Sequence, residues 1–328
     1  MPLVYNGTTI TAITYNGTVL STLIYNGTTV WTSEIIWTYG LFYGGHAVYA
    51  GIFVGYYNTV TRINSSGVIV GSETAVGTAR TGVGGASVGG NGLFYAGYAG
   101  IVVGYYNTVT RINSSGVIVG SETAVGTARS GVGGASVGGN GLFYAGYAGI
   151  VVGYYNTVTR INLSGALVGS ETAVGTARRD LGGASVGGNG IYYVGINGTT
   201  IYKTVTIINS SGALVGSETA VGTARYGTGG ASVGGNGIYY GGYDDSSTYY
   251  NKVTIINSSG ALVGSETAVG TARYGTGGAS VGGNGIYYGG YAASGYLNTV
   301  IRINSSGALV GSETAVGSAR YSTGGASV

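Results

Sequence analysis

Few residues of this chain could do chemistry. It holds one histidine, no cysteine and ten carboxylates. With His46 alone, no histidine pair or nucleophile–base triad can be assembled, and without cysteine there are neither disulfides nor thiolate metal sites. Six of the carboxylates recur in one phrase, GSETAVG, as Glu73, Glu122, Glu171, Glu218, Glu266 and Glu313. Each stands seven residues before a repeated arginine: Arg80, Arg129, Arg178, Arg225, Arg273 or Arg320. A group present once per repeat is expected to be structural, an ion pair bracing each unit against its neighbour, because a single catalytic centre needs the symmetry broken. The other acids are Glu34, Asp180, Asp244 and Asp245. Asp244 and Asp245 adjoin and could contact a cation, but they make a thin start on the roughly six oxygen ligands a calcium ion takes. Gly84-Gly85-Ala86-Ser87 is not followed by the Gly-Lys-Ser/Thr of a phosphate loop. The expectation is a protein that is not an enzyme and that has no metal and no cofactor.

The elements that position these residues follow from the period. Successive repeated glutamates are 49, 49, 47, 48 and 47 residues apart, which gives six units. Thr81 to Arg129 and Ser130 to Arg178 differ at only four places. Each unit holds four short runs of β-favouring residues, for example GGASV, GLFYAGY, NTVTRI and GVIVGSETAV, divided by Gly, Asn and Ser. None has the length or the 3.6 period of a helix. The Asn91-Gly92 pair suits a type I′ hairpin turn between the first two runs, and Asn64-Ser65-Ser66-Gly67 and its copies join the last two. The reading is all-β: a six-bladed β-propeller of four-stranded antiparallel blades over residues 34–328. Gly324 to Val328 repeat the first run of a blade, whereas blade one opens with Gly40-Leu41-Phe42-Tyr43. The C-terminal strand is therefore expected to complete blade one and remove a free sheet edge, with Ser33 to Ile36 as a rival for that slot.

These blades resemble the kelch family, which carries an arginine before the inner strand and an aromatic strand ending in paired glycines. The pair survives as Gly44-Gly45, Gly241-Gly242 and Gly289-Gly290, and becomes Ala96-Gly97, Ala145-Gly146 and Val194-Gly195 elsewhere. The family's blade tryptophan is absent, since Trp31 and Trp37 precede the repeats. Neither the repeated Asp-boxes of sialidases nor the Tyr, His and Cys ligands of kelch-type copper oxidases are found.

Charged residues are 7% of the chain, against about 25% in an average soluble domain, and the net charge is +3. Nucleic acid, which calls for a clustered basic surface, is not an expected partner. Apolar runs stop far short of the roughly 18 residues of a membrane span, so no membrane insertion is expected, and MPLVYNGTT does not read as a secretion signal. Residues 1–33 carry a second repeat of period ten around Tyr5-Asn6-Gly7-Thr8, Tyr15-Asn16-Gly17-Thr18 and Tyr25-Asn26-Gly27-Thr28. They read as small β-hairpins forming an anchor or oligomerisation segment. Such tandem YNGT units resemble those at the N-termini of phage structural proteins. That resemblance implies a virion location, other virion proteins as partners of this segment, and association into a homo-oligomer.

Near-identical repeats are most informative where they differ. Differences concentrate in the link from one blade to the next and in the loop between second and third strands, which emerge on the same face of an up-and-down meander. The links carry Thr81, Ser130, Arg179-Asp180, Tyr226, Tyr274 and Tyr321. The loops carry Tyr56-Tyr57, Tyr105-Tyr106, Tyr154-Tyr155, Asn197, Tyr243-Asp244-Asp245 and Tyr291. Rigid aromatics among small polar residues are the vocabulary of recognition surfaces, and tyrosine rings suit the apolar faces of sugars. The candidate ligand-binding residues are thus Tyr226, Tyr274, Tyr321, Arg179, Asp180, Tyr243, Asp244, Asp245, Tyr291, Tyr105 and Tyr154. Ile52-Phe53-Val54, Ile101-Val102-Val103 and Ile150-Val151-Val152 make the loops of the first three blades more apolar, suited to docking a protein neighbour or another copy. The expected function is a non-enzymatic binding or display module, a phage tail fibre or receptor-binding protein that recognises cell-surface glycan. The alternative is a structural decoration protein of a capsid or tail.

Overall fold

A computed structural model of the chain describes residues 38–49 and 52–328 throughout and, within residues 1–37, six short strands. The chain divides into two compact units, Met1–Trp37 and Thr38–Val328. The first holds three two-stranded hairpins: Leu3–Tyr5 with Thr8–Ile10, Ile13–Tyr15 with Thr18–Leu20, and Thr22–Tyr25 with Thr28–Thr32. Their Asn-Gly turns and the segment 33–37, with the rival closing strand, lie outside the described residues.

The second unit is a six-bladed β-propeller, each blade a four-stranded antiparallel sheet. In blade two the strands are Gly84–Val88, Asn91–Tyr95, Thr108–Asn113 and Thr123–Ala124, from the axis outward. Blade one takes its innermost strand from the C-terminus, where Gly324–Ser327 pairs with Tyr39–Tyr43 in the register Gly324↔Tyr43 to Ser327↔Gly40.

Second strands read as continuous apolar runs because both their faces are covered by neighbouring blades. Leu93, Phe94 and Tyr95 are fully buried. Every blade interface holds one aromatic pair, as in Tyr43–Phe94, Tyr95–Phe143 and Tyr144–Tyr192, with centroids 5.2–5.3 Å apart. The inner strands converge on the axis so closely that a Cβ on Gly85 would lie 2.3 Å from the Gly325 carbonyl oxygen. Only glycine fits there. Below it, a closed ring ties all six blades together. The Ser87 N–H donates to Ser136 Oγ, and the relay passes through Ser185, Ser232, Ser280 and Ser327 back to Ser87, every bond 2.7–2.8 Å.

Three local expectations are corrected. Val88 pairs with Asn91, so the first hairpin turns on Gly89-Gly90, at φ +56° and +77°, and Asn91-Gly92 belongs to the strand. A type I′ turn needs positive φ at both central residues, which two glycines adopt without a Cβ penalty. The outer strand is two residues long rather than ten, because Gly116 and Gly120, at φ +79° and +70°, break the run before Thr123. Finally, Gly100–Val103 and Gly149–Val152 form single helical turns where no helix was expected. The Asn-Ser-Ser-Gly turn is as read: Asn64 Oδ1 accepts from the N–H groups of Ser66 and Val68, each at 3.0 Å.

Candidate binding face

Each repeated arginine is fully buried on the link into a blade, and its ionic partner is the glutamate of that following blade, not the one seven residues before it. The pairs are Arg80–Glu122, Arg129–Glu171 and Arg178–Glu218 at 3.3 Å, Arg225–Glu266 at 2.8 Å, Arg320–Glu73 at 2.7 Å, and Arg273–Glu313. The guanidinium is also held between two tyrosine rings, with Arg80 Cζ 5.6 Å from the centroid of Tyr43 and 5.8 Å from that of Tyr106. Tyr155, Tyr202 and Tyr57 serve Arg129, Arg178 and Arg320 in the same way. Burial pushes the Glu266 carboxyl up, but hydrogen bonds from Thr223, Thr254 and Arg225, with the charge of Arg225, outweigh it and bring the pKa down to about 2. Glu73, Glu122, Glu171 and Glu218 are lowered in the same manner.

The varying links and loops are joined to each other by backbone bridges: Thr81↔Tyr98, Ser130↔Tyr147, Arg179↔Ile196, Tyr226↔Tyr243, Tyr274↔Tyr291 and His46↔Tyr321. They therefore share one face. One residue further along each link, six backbone groups close a ring around the axis. Gly131 N–H donates to Gly82 C=O, and so on through Asp180, Gly227, Gly275 and Ser322 to Gly82, at 2.6–3.0 Å. All six have positive φ, including Asp180 at +58° and Ser322 at +62°.

Around this ring the aromatic side chains touch one another in a belt that spans five of the six blades. It runs from Tyr226 and Tyr243 through Tyr249, Tyr274, Tyr291, Tyr296 and Tyr321 to His46, Phe53 and Tyr56. It continues through Tyr98, Tyr105 and Tyr147 to Tyr154, with neighbouring centroids 4.8–6.4 Å apart over its length. The belt breaks at blade four, where Ile196 replaces the tyrosine of the bridge and Arg179 Cζ stands 5.5 Å from the Tyr147 ring. Burial, then the neighbouring rings and the Asp180 charge, push Tyr226 and Tyr274 up to about 12. His46 is pushed down to about 4 by burial and is neutral near pH 7, its Nδ1 3.0 Å from Thr81 Oγ1.

The structure brings Tyr226, Tyr243, Tyr274, Tyr291, Tyr321, Tyr105 and Tyr154 into this belt, each half-buried against its neighbours. Arg179 and Asp180 form an ion pair at 2.5 Å in its gap. Asp244 is occupied in its own turn: Oδ1 accepts from the N–H groups of Ser246 and Thr248 at 3.0 Å, and Oδ2 from the Tyr250 hydroxyl at 2.6 Å. Asp245 is exposed beside it. At the apolar tips Ile101, Val102 and Val151 are 96–98% exposed and Phe53 is 51% exposed. Sequence reasoning passed over Thr228, Thr276 and Thr323, buried at the head of the inner strands, where the first three repeats carry Val83, Val132 and Leu181. That change from apolar to hydroxyl at one repeat position was the available signal. Models of known protein families give no match to this chain, and no curated protein matches it.

Proposed function

We propose that the propeller is a non-enzymatic module that binds carbohydrate through its aromatic face. The supporting observation is the belt itself: half-exposed tyrosine rings fixed by their neighbours, which offer aromatic area at small entropic cost. The links and loops that carry these rings are bridged to one another through their backbones. Glycoside hydrolysis would call for two carboxyl groups facing one substrate. On this face Asp180 Oδ2 is paired with Arg179, and Asp244 is held in its own turn. The repeated arginines and paired glycines favour a kelch-like propeller, and the N-terminal hairpin repeats favour a virion setting, as in a phage tail fibre or receptor-binding protein. Multivalent display would then compensate for weak single sites.

A glycan array that includes cell-wall polysaccharides tests this reading, with the Tyr243→Ala/Tyr249→Ala double variant alongside. Selective binding weakened in the variant supports it. Silence of the natural protein across the array overturns it. A second reading, a decoration protein that packs against other virion subunits, is favoured by the nearly full exposure of Ile101, Val102 and Val151.

A further inference from the structure

The ring of backbone hydrogen bonds lines a cavity of about 60 Å³ on the propeller axis, together with Tyr321 and the residues that lead from the ring into the inner strands. Six repeats could make this mouth symmetric, and three departures from symmetry converge on it. First, the wall changes character around the ring. Blades two to four contribute Val83, Val132 and Leu181, whereas the next three contribute Thr228, Thr276 and Thr323. These threonines are only 5–6% exposed, and their hydroxyls have no hydrogen-bond partner within the chain. Buried hydroxyls in folded proteins are nearly always paired, so three orphans around one cavity point to a polar occupant.

Second, Asp180 stands in the ring where four of the six repeats have glycine, at a φ of +58° that disfavours any residue with a Cβ. Its carboxylate reaches over the neighbouring ring position, since a Cβ on Gly131 would lie 2.6 Å from Asp180 Oδ1. Arg179 holds it from outside through Nη1, and the buried Arg179 Nε has no partner. Third, the Tyr321 ring lies directly on Gly275, at 2.2 Å from where a Cβ would stand. Gly275 is three places around the ring from Gly131, so the aromatic surface and the carboxylate face each other across the mouth.

An aromatic ring opposite an acid, with free hydroxyls below, matches the amphipathic edge of a sugar. We propose that the axial mouth holds one site per propeller for the terminal residue of an uncharged glycan, entering end-on. The cavity admits a hydroxymethyl group or a pair of ring hydroxyls, bonded by Asp180 and the three threonines, while the apolar sugar face lies against Tyr321. This inference rests on the carbohydrate reading above and narrows it from the whole belt to its centre.

The test uses the full chain on an array of methyl glycosides of glucose, galactose, mannose and N-acetylglucosamine and of oligosaccharides ending in them. Two axial variants are compared with the rim variant Tyr243→Ala/Tyr249→Ala. Thr228→Val/Thr276→Val/Thr323→Val puts into three blades the side chain that two others already carry, and Asp180→Gly puts in the residue that four others carry. Both should therefore fold, and Asp180→Gly should melt higher than the natural protein. The expected result is binding of one equivalent per chain, weakened roughly tenfold or more in each axial variant. Binding that falls in the rim variant and persists in both axial variants overturns the axial site while leaving the carbohydrate reading intact. A silent natural protein overturns both.

Discussion

Removing one repeated carboxylate should cost the propeller several degrees of melting temperature, and only where that carboxylate is ionised. Glu266 accepts from Arg225 Nη1 at 2.8 Å, from the Thr254 and Thr223 hydroxyls at 2.5 Å each, and from the Thr223 N–H at 3.3 Å. Glu266→Gln keeps the shape but replaces one oxygen with an NH₂ group that faces donors. It also leaves Arg225, fully buried, without its counter-ion. Breaking a buried pair from one side costs about 3–5 kcal/mol. Water at the Glu266 edge and Lys252 Nζ at 3.6 Å place this case at the low end, about 3 kcal/mol. With an unfolding entropy of about 2 cal/mol/K per residue, the Thr38–Val328 unit should lose about 5 °C.

The sign of the pH dependence follows from the lowered carboxyl. Its folded pKa is about 2 against an ordinary value of 4.5, so the stabilisation is complete above about pH 4.5 and disappears as pH falls through 2. Thermal melts of the natural protein and the variant, followed by circular dichroism, should differ by about 5 °C at neutral pH and converge near pH 2. A gap below about 1 °C at neutral pH, or a full gap that persists at pH 2, would refute the brace as described.

Three further outcomes are expected. Ser232→Ala leaves the Ser185 N–H, now 2.8 Å from Ser232 Oγ, unpaired at the axis, and denaturant titration should show a loss of about 1–2 kcal/mol. Deletion of residues 324–328 removes the innermost strand of blade one and exposes the edge of Tyr39–Tyr43. Hydrogen exchange should report loss of protection in Tyr39–Tyr43 first, and unchanged protection there would contradict its dependence on the closing strand. Ile101→Ser/Val102→Ser/Val151→Ser alters nearly fully exposed side chains, so stability should stay within about 0.5 kcal/mol. If these tips dock a second copy, light scattering should show the oligomer lost in the same variant.

The sequence carried the fold because the period and the strand runs are local facts, and ring closure was written in Gly324 to Val328. It could not say which glutamate each arginine meets. Position in the repeat is the same for every copy, and only the three-dimensional path of the link decides that Arg80 reaches forward to Glu122 rather than back to Glu73. The tyrosine pairs show a finer limit. Tyr105 and Tyr106 look equivalent as letters, yet neighbouring residues of extended chain point to opposite sides. Tyr105 joins the belt and Tyr106 stacks on the buried Arg80. The axial cavity was invisible for another reason: Thr228, Thr276 and Thr323 lie one repeat apart and become neighbours only when the ring closes.

The division between what repeats and what varies has a physical basis. The groups that hold blade to blade are the arginine–glutamate pairs, the serine ring and the glycine at the axis, and these occur in every blade. The face that varies hangs on links and loops bridged through backbone groups in every blade, so those bridges survive a change of side chain. Identical blades can make only a sixfold surface. A single site at the axis requires that copies diverge there, and divergence at one ring position is enough because closure places all six copies within reach of the same cavity. Asp180 is the clearest case. The ring would be less strained with glycine, as in four other repeats, and the Arg179–Asp180 ion pair lies within one link rather than between two blades. Any residue could supply the backbone groups of Asp180 to the ring, so its carboxylate is best explained by what it presents to the cavity.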